Sequence, residues 1–332
     1  MNNKEINIAL AINDQYVGQV SALIMSIHKN VKEGRFIRIN ILHSTVTEQH
    51  QDIMKHMVKD FDNISELNFI DMKQFTSNEY LDKYMYKSKD YNYISPETLY
   101  RLFIPDIFPQ YDKILYLDSD MIVCDNLTDL YETDITKVYV AAIKVSNKFL
   151  EGEIIFNNKK LYIKDYIKNN LHIDPATYFN AGVLLLNLNK LRQDNIQEKM
   201  FQLVTGETIF RFLDQDILNI SFYKNSKLID NQYNFKCRDY TTTHKVTILH
   251  FAGKNKPWNY FKQDEFFEKY WDYFKLTPFY NKKEEQLYLK LTNWYKNKKF
   301  IKTREEKNHY KIRILFLHFT INKKYLNFFK KH

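Results

Sequence analysis

Residues Lys113-Ile114-Leu115-Tyr116-Leu117-Asp118-Ser119-Asp120-Met121-Ile122-Val123 read as an apolar strand, an acidic turn and a second apolar run. A short continuous apolar run bounded by a turn is the pattern of a strand buried on both faces, as in parallel sheets. Two carboxylates two residues apart at its end can both reach one hard cation whose other positions are filled by phosphate oxygens. The spacing alone is weak, because the chain holds two more such triples, Asp60-Phe61-Asp62 and Asp214-Gln215-Asp216. The former lies in a polar stretch after a helical pattern and reads as solvated surface. Asp118 and Asp120 have apolar runs on both sides, where burying two charges is costly without a cation or several donors. A metal site is the favoured reading there, with a structural turn as the alternative.

Outward from this stretch, strand-like and helix-like patterns alternate. Ile6 to Ile12, Phe36 to Leu42, Leu67 to Ile70, Val138 to Ile143, Val183 to Leu188 and Lys245 to Phe251 read as strands. Helical patterns run through Val20, Leu23, Ile24 and Ile27, over Glu48 to Val58, from Ser95-Pro96-Glu97 onward, over Leu191 to Val204 and over Asp214 to Phe222. Such alternation predicts an α/β fold with a mostly parallel sheet covered by helices on both faces. Ligands of open sheets bind outside the carboxyl ends of the strands, so the polar residues there are the candidates.

Asn13-Asp14-Gln15-Tyr16 follows the first strand and reads equally well as a capping turn or a binding loop. Gly18 stands alone after it, which excludes the usual glycine-rich dinucleotide fingerprint. In Phe179-Asn180-Ala181-Gly182-Val183 a polar step feeds a buried strand, marking either a close backbone approach at Gly182 or a bulge. Asp214 reads as an N-cap and Asp216 as a first-turn charge. His250-Phe251-Ala252-Gly253-Lys254-Asn255-Lys256-Pro257-Trp258 closes the late strand. A histidine there is more often structural. A neutral imidazole can nevertheless complete a carboxylate metal site, and a lysine can act as a point charge on phosphate.

Taken in order, Asn13-Asp14-Gln15-Tyr16, Tyr100-Arg101-Leu102, Leu115-Tyr116-Leu117-Asp118-Ser119-Asp120, Phe179-Asn180-Ala181-Gly182-Val183, Asp214-Gln215-Asp216 and His250-x-x-Gly253-x-x-Lys256-Pro257-Trp258 resemble the motifs of glycosyltransferase family 8. That family comprises retaining nucleotide-sugar transferases, glycogenin and the bacterial lipooligosaccharide galactosyltransferases among them. The resemblance implies a GT-A fold, a Rossmann-like and mostly parallel sheet flanked by helices. It implies Mn²⁺ (or Mg²⁺) held by Asp118, Asp120 and His250, with UDP-galactose or UDP-glucose as donor. Lys256 and the Gly253 backbone would contact the phosphates, Asn13, Asp14 and Tyr16 would line the uracil and ribose pocket, and Arg101 and Ser119 would approach the donor. Asn180 and Asp214 would bind sugar hydroxyls, while Gln215 would face the anomeric carbon opposite the leaving group. The catalytic set expected from the resemblance is Gln215, Asp214 and Asp120. Asn13 stands where the bacterial galactosyltransferases carry an acid and glycogenin-like members carry Asn, so it selects no sugar.

The chain has 332 residues, 44% of them hydrophobic, enough for a sizeable core. Its two cysteines, Cys124 and Cys237, exclude a disulfide framework or a cysteine zinc site and fit a reducing compartment. No run approaches the roughly 18 to 20 apolar residues of a membrane span, and the opening residues alternate like a strand instead of following a signal-peptide layout. Residues 259–332 carry 18 Lys/Arg against 8 Asp/Glu, a balance of +10, while residues 1–258 balance to −1, so the net +9 comes entirely from the extension. We therefore expect a catalytic domain over 1–258 and a basic, aromatic, helical extension over 259–332. Its expected stripes are Phe266, Phe267, Tyr270, Trp271 and Phe274, packed on the body, then Leu287, Leu291, Trp294 and Tyr295, then a basic helical stretch over Tyr310 to Phe329. The later segments suit an anionic membrane surface. No RNA-binding motif is present, so nucleic acid ranks below that. The expectation is a cytoplasmic enzyme, peripheral at the inner face of the plasma membrane, extending a surface glycan acceptor. The competing classes are a noncatalytic nucleotide-sugar or glycan-binding protein and a basic membrane-surface module.

Overall fold

Strand β1 (Glu5–Ala11) occupies the interior of a seven-stranded sheet because both of its faces are apolar: Ile6, Ile8 and Leu10 point to one side and Ala9 to the other. The structure, a computed structural model, describes residues 5–76, 95–236, 245–259, 265–283 and 285–286, and the backbone of 301–306, 309–314 and 317–322. The other strands of the sheet are β2 (Phe36–His43), β3 (Ile64–Asp71), β4 (Lys113–Leu117), β6 (Val140–Lys144), β9 (Phe179–Asn187) and β10 (Ser226–Ile229). They stand in the order β10-β6-β9-β4-β1-β2-β3. All neighbours run parallel except β9, which is antiparallel to both β4 and β6.

One face is covered by α1 (Val17–Asn30) and α2 (Glu48–Val58). Val20, Leu23, Ile24, Ile27 and Met54 pack there on Ile37, Ile39, Ile41, Leu115, Leu117 and Val183. The opposite face buries Tyr116, Val140, Ala142, Leu184 and Leu186 under the segment Pro96–Ile107, under α3 (Ile196–Thr205) and under α4 (Asp214–Ser221). Each large aliphatic side chain so buried contributes about 1.5–3 kcal/mol, which is why the parallel strands require cover on both faces. A hairpin of β7 (Glu153–Phe156) and β8 (Lys159–Tyr162) turns at Asn157 and Asn158, both at positive φ.

Two expected helices differ in detail. Ser95-Pro96-Glu97 opens a 3-10 helix, Pro96–Phe103, without a side-chain cap from Ser95, and a short α-helix follows at Ile104–Ile107. One continuous α-helix is blocked because Pro105 has no N–H to give the Arg101 carbonyl. The helix expected over 191–204 is divided into Leu188–Gln193 and α3, with Asn195 left-handed at φ 48° between them, a conformation that asparagine tolerates.

A second sheet decides where the late strand lands. β5 (Met121–Val123) pairs antiparallel with β12 (Ile248–His250), with His250 opposite Met121, and β11 (Phe235–Lys236) runs parallel to β12. Ile122, Leu249 and Phe251 pack there with Ala22 of α1 and with Phe267, Tyr270, Trp271 and Phe274 of α5 (Glu265–Phe274). The first aromatic stripe of the extension therefore lies on the body. The second, Leu287 to Tyr295, lies outside the described residues.

The last part differs from its expectation. Where the pattern predicts helix over 310–329, the backbone forms an antiparallel meander of β13 (Ile301–Glu306), β14 (His309–Ile314) and β15 (Leu317–Asn322). Tyr310, Ile312, Ile314 and Leu317, Phe319, Ile321 alternate with polar residues at period two, and this outweighs the helical spacing of Ile312, Leu315, Phe316 and Phe319. The register sets Ile312 opposite Phe319 and Ile314 opposite Leu317. No described helix is long and apolar enough to cross a membrane.

Candidate active site

The acidic turn leaves the carboxyl end of β4 beside the only reversed strand of the main sheet. Leu117 pairs with Val183, and the Asp118 N–H donates to the Gly182 carbonyl at 2.8 Å. The antiparallel pairing of β12 with β5 then brings His250 to the same place. Its Nε2 lies 3.1 Å from Asp120 Oδ1 and 3.8 Å from Asp118 Oδ2. Ligand atoms of Asp118, Asp120 and His250 all fall within 4.8 Å of one another, the one such group among the described residues. Asp60 and Asp62, by contrast, are both exposed.

Gly182 is what allows this convergence. A Cβ there would stand 2.6 Å from His250 Cε1, 2.8 Å from Asp118 Oδ2 and 3.0 Å from Met121 Cε. Both readings left open in the sequence are realised: β9 shifts register against β6 between Asn180 and Leu184, and the imidazole and the carboxylate closely approach the Gly182 backbone.

The charges are paired before any ligand arrives. Arg101 is 7% exposed; it binds Asp118 Oδ1 at 2.9 Å and Asp214 Oδ2 at 3.3 Å, donates to the Ala181 carbonyl at 2.7 Å, and lies over the Tyr116 ring. Tyr116 donates its hydroxyl to Asp118 at 3.1 Å. Lys256 Nζ contacts the Asp120 carboxylate and the Phe251 carbonyl, so an ammonium rests where a second cation would be drawn. Burial pushes the Asp120 carboxyl up, but the Lys256 ammonium and His250 more than reverse this and hold it well below the usual carboxylate range. Burial, reinforced by the charges of Asp120 and Asp118, pushes the Tyr16 phenol far up, so it is a neutral hydroxyl facing the acids.

Around this centre the other expected residues occupy distinct stations. Asn13 caps the turn after β1 by accepting from the Gln15 N–H at 3.1 Å. Asp14 binds His50 Nδ1 at 2.7 Å and the Thr47 N–H at 3.0 Å, tying that turn to the start of α2. Tyr16 meets Trp258 edge to face, with ring centroids 6.1 Å apart. Ser119 donates its hydroxyl to the Ala11 carbonyl at 2.7 Å, joining the acidic turn to β1. Gly253 takes φ 87°, turning the chain between His250 and Lys256. Asp214 is not the N-cap of α4: that position is Leu213, at φ 48° and ψ −116°, and Asp214 follows in the first turn, held by Arg101. A non-glycine residue in that region is strained, a feature that clusters at functional sites.

Asn180, Gln215 and Asp216 form one polar group behind the acids with three residues given no role from sequence, Tyr178, Tyr166 and Asn234. Asn180 Nδ2 donates to Gln215 Oε1 at 2.8 Å, and Gln215 Nε2 donates to the Tyr178 hydroxyl at 3.2 Å. Tyr178 and Tyr166 donate to Asp216, which also accepts the Phe212 N–H. Asn234 joins Asn180 to His250. The signal for Asn234 was faint: a polar residue just before a two-residue strand.

Asp216 carries a pH signature. Burial raises its carboxyl to about 6, against the hydrogen bonds that lower it. The native state then holds the proton more tightly than the unfolded chain, whose carboxyl titrates near 3.9. The stabilisation from that proton is complete below about pH 4 and is lost as pH rises through about 6, at about 1.4 kcal/mol per unit. Relative to Asp216→Asn, the wild type should therefore lose about 2–3 kcal/mol of unfolding free energy between pH 4 and 7 in denaturant titrations. Parallel profiles would contradict this.

A mostly parallel sheet with one reversed strand, gathering Asp-x-Asp, a histidine and a lysine at its carboxyl edge, is that of a GT-A glycosyltransferase. The family model described as "Glycosyl transferase family 8" matches residues 7–262, and the chain belongs to that family. It is 24% identical over 282 residues to the lipopolysaccharide 1,2-glucosyltransferase of Escherichia coli, spanning 78% of this chain and 76% of that protein. Its fold matches the apo structure of the bifunctional glycosyltransferase WbbM with a TM-score of 0.73 at 24% identity, over 86% of this chain and 51% of WbbM. It also matches the galactosyltransferase LgtC, solved with donor and acceptor sugar analogues, with a TM-score of 0.63 at 22% identity, over 85% of this chain and 99% of LgtC.

Proposed function

We propose that this glycosyltransferase is a metal-dependent, retaining hexosyltransferase that moves galactose or glucose from a UDP-sugar onto a cell-surface glycan acceptor. The observation that carries the reading is the meeting of Asp118, Asp120 and His250 beside Lys256 at the carboxyl end of β4. Similarity to a lipopolysaccharide glucosyltransferase supports a lipopolysaccharide-type acceptor; lipooligosaccharide, polysaccharide and glycoprotein glycans share the required hydroxyl chemistry.

Two hard carboxylates and one imidazole fit Mn²⁺ or Mg²⁺, and the placement of Lys256 against Asp120 supports a locus that attracts cations. Held by Asp118, Asp120 and His250, such an ion would supply Lewis-acid neutralisation of the departing diphosphate. Lys256 leaves Asp120 to bind a phosphate oxygen as the donor enters, with the Gly253 turn presenting backbone beside it. Asn13, Asp14 and Tyr16 line the nucleoside pocket, with Ser119 fixing the floor between them and the acids. Arg101 acts on the donor end through Asp118 and Asp214, whose carboxylates it orients. Asn180 and Asp214 bind sugar hydroxyls. Gln215 faces the ring from behind, and a neutral amide is a poor nucleophile. We therefore assign retention to departure and attack on one face, with Gln215 supporting positive charge on the ring through its carbonyl dipole.

A donor screen tests this directly: UDP released from several UDP-sugars, with and without Mn²⁺. Cation-dependent release from UDP-galactose or UDP-glucose is the expected result. No turnover of any UDP-sugar, with nucleotide still bound, would establish a noncatalytic binding protein instead. The charge excess of residues 259–332 supports a location at an anionic membrane surface on the cytoplasmic side. Deleting the residues after Thr303 should weaken sedimentation with anionic liposomes; unchanged binding would remove that part of the proposal.

A further inference from the structure

Five hydrogen bonds join the imidazole of the metal site to a buried carboxylate, and the four beyond the imidazole run in one direction. His250 Nδ1 meets Asn234 Oδ1 at 2.7 Å; Asn234 Nδ2 donates to Asn180 Oδ1 at 2.8 Å; Asn180 Nδ2 donates to Gln215 Oε1 at 2.8 Å. Gln215 Nε2 donates to the Tyr178 hydroxyl at 3.2 Å, and Tyr178 donates to Asp216. Any one amide can be turned over without changing its shape, but this set cannot be, because groups of fixed polarity pin it. The Ala181 N–H donates to Gln215 Oε1 at 3.3 Å, and the Gly182 N–H donates to Asn180 Oδ1 at 3.2 Å. The ionised Asp216 carboxylate accepts only. Asn180 Oδ1 must therefore face a donor, Asn234 must offer its Nδ2 there, and its Oδ1 is left to accept from His250. Asn234 is 4% exposed and His250 3%, so no solvent competes.

The geometry points to Asn234 as a positioning residue that holds His250 in the Nδ1–H form, with the Nε2 lone pair directed between Asp118 and Asp120, and that couples this ligand to the Gln215 amide. The assignment rests on the proposed role of His250 as a cation ligand. It is not the outcome expected from the acids alone, since two carboxylates at 3.1 and 3.8 Å favour a proton on Nε2 of a neutral ring. Outer partners of ligating histidines fix tautomer and ring orientation in this way.

Two variants separate the ends of the chain. Asn234→Leu removes the acceptor and should weaken Mn²⁺ binding, read by EPR titration without donor and again with UDP, by about 10–100-fold. Asn234→Asp keeps an acceptor for His250 Nδ1–H but sets an oxygen against Asn180 Oδ1. It should hold Mn²⁺ within a few fold of wild type while transfer falls, because Asn180 loses its donor and the facing oxygens push the Asn180–Gln215 pair out of place. Wild-type Mn²⁺ affinity in Asn234→Leu, or equal losses in the two variants, would overturn the assignment. The tautomer itself is read without any variant. Long-range ¹⁵N correlation on histidine-labelled, cation-free wild type, read on the neutral ring, should show His250 protonated at Nδ1. Protonation at Nε2 would overturn it. A wild type that bound no Mn²⁺ would defeat the metal reading, and the ¹⁵N result would still decide the hydrogen-bond chain.

Discussion

Asp120→Asn is expected to reduce transfer by at least about a thousandfold while the protein stays folded. The carboxylate stands between Lys256 and His250, and the amide would turn an N–H₂ toward one of them in place of an anionic oxygen. Three consequences follow at once: a charged cation ligand is lost, Lys256 loses the partner that holds it beside the phosphate path, and the field that draws a divalent ion is halved. The cost to folding is smaller, about 1–3 kcal/mol, because Lys256 retains the Phe251 carbonyl at 2.7 Å and the amide still fills the space. Circular dichroism melts should show a lowered but cooperative transition. UDP release at saturating Mn²⁺ should be near background. Undiminished transfer by this variant in the presence of chelator would refute the metal role.

Gly182→Ala should disable the site through sterics alone. The added methyl lies inside contact distance of His250 Cε1 and Asp118 Oδ2, and neither can retreat freely. Asp118 is held by Arg101 and Tyr116, and His250 by Asn234. Met121 can yield because its thioether is flexible. Overpacking of this kind costs about 1–3 kcal/mol, and a shift of about 1 Å in groups positioning a reaction costs about a hundredfold in rate. Loss of Mn²⁺ binding in proportion to the loss of rate would identify displaced ligands as the cause. A variant with wild-type rate and affinity would show that the imidazole has room elsewhere, and the tight geometry would lose its meaning.

The fold was largely legible because its signals are local. The Lys113–Leu117 run, the alternation of β1 and β2 and the amphipathic α1 and α2 each reflect one face or two faces of burial, which adjacent residues report directly. The ambiguous cases were those where two periods compete or a breaker intervenes. Residues 310–321 satisfied a helical stripe and a strand alternation together, and the backbone follows the alternation. Pro105 and Asn195 divided helices that hydrophobic spacing alone ran together.

The site was legible as residue types but not as partnerships. Asp118, Asp120, His250 and Lys256 were identified in the chain, yet Lys256 and Asp120 stand 136 positions apart, and the register of β12 on β5 is what makes them neighbours. Arg101 was expected near the donor, and the structure shows it bound to Asp118 and Asp214. Asn234 and Tyr178 were unmarked, and Asp216 was read only as a first-turn charge, because a polar residue in a loop or a first helical turn has ordinary reasons to be there.

By itself the amino-acid order determined the strand–helix alternation, the two-sided burial of the central strands and the kinds of side chain presented at their carboxyl ends, all consequences of short-range pattern. Tertiary structure alone decided which distant ends meet, that β9 reverses to bring the Gly182 backbone under His250, and which way each amide points behind the acids. Those outcomes depend on strand register and on the polarity of hydrogen bonds between segments remote in the chain, and neither is encoded in any single stretch.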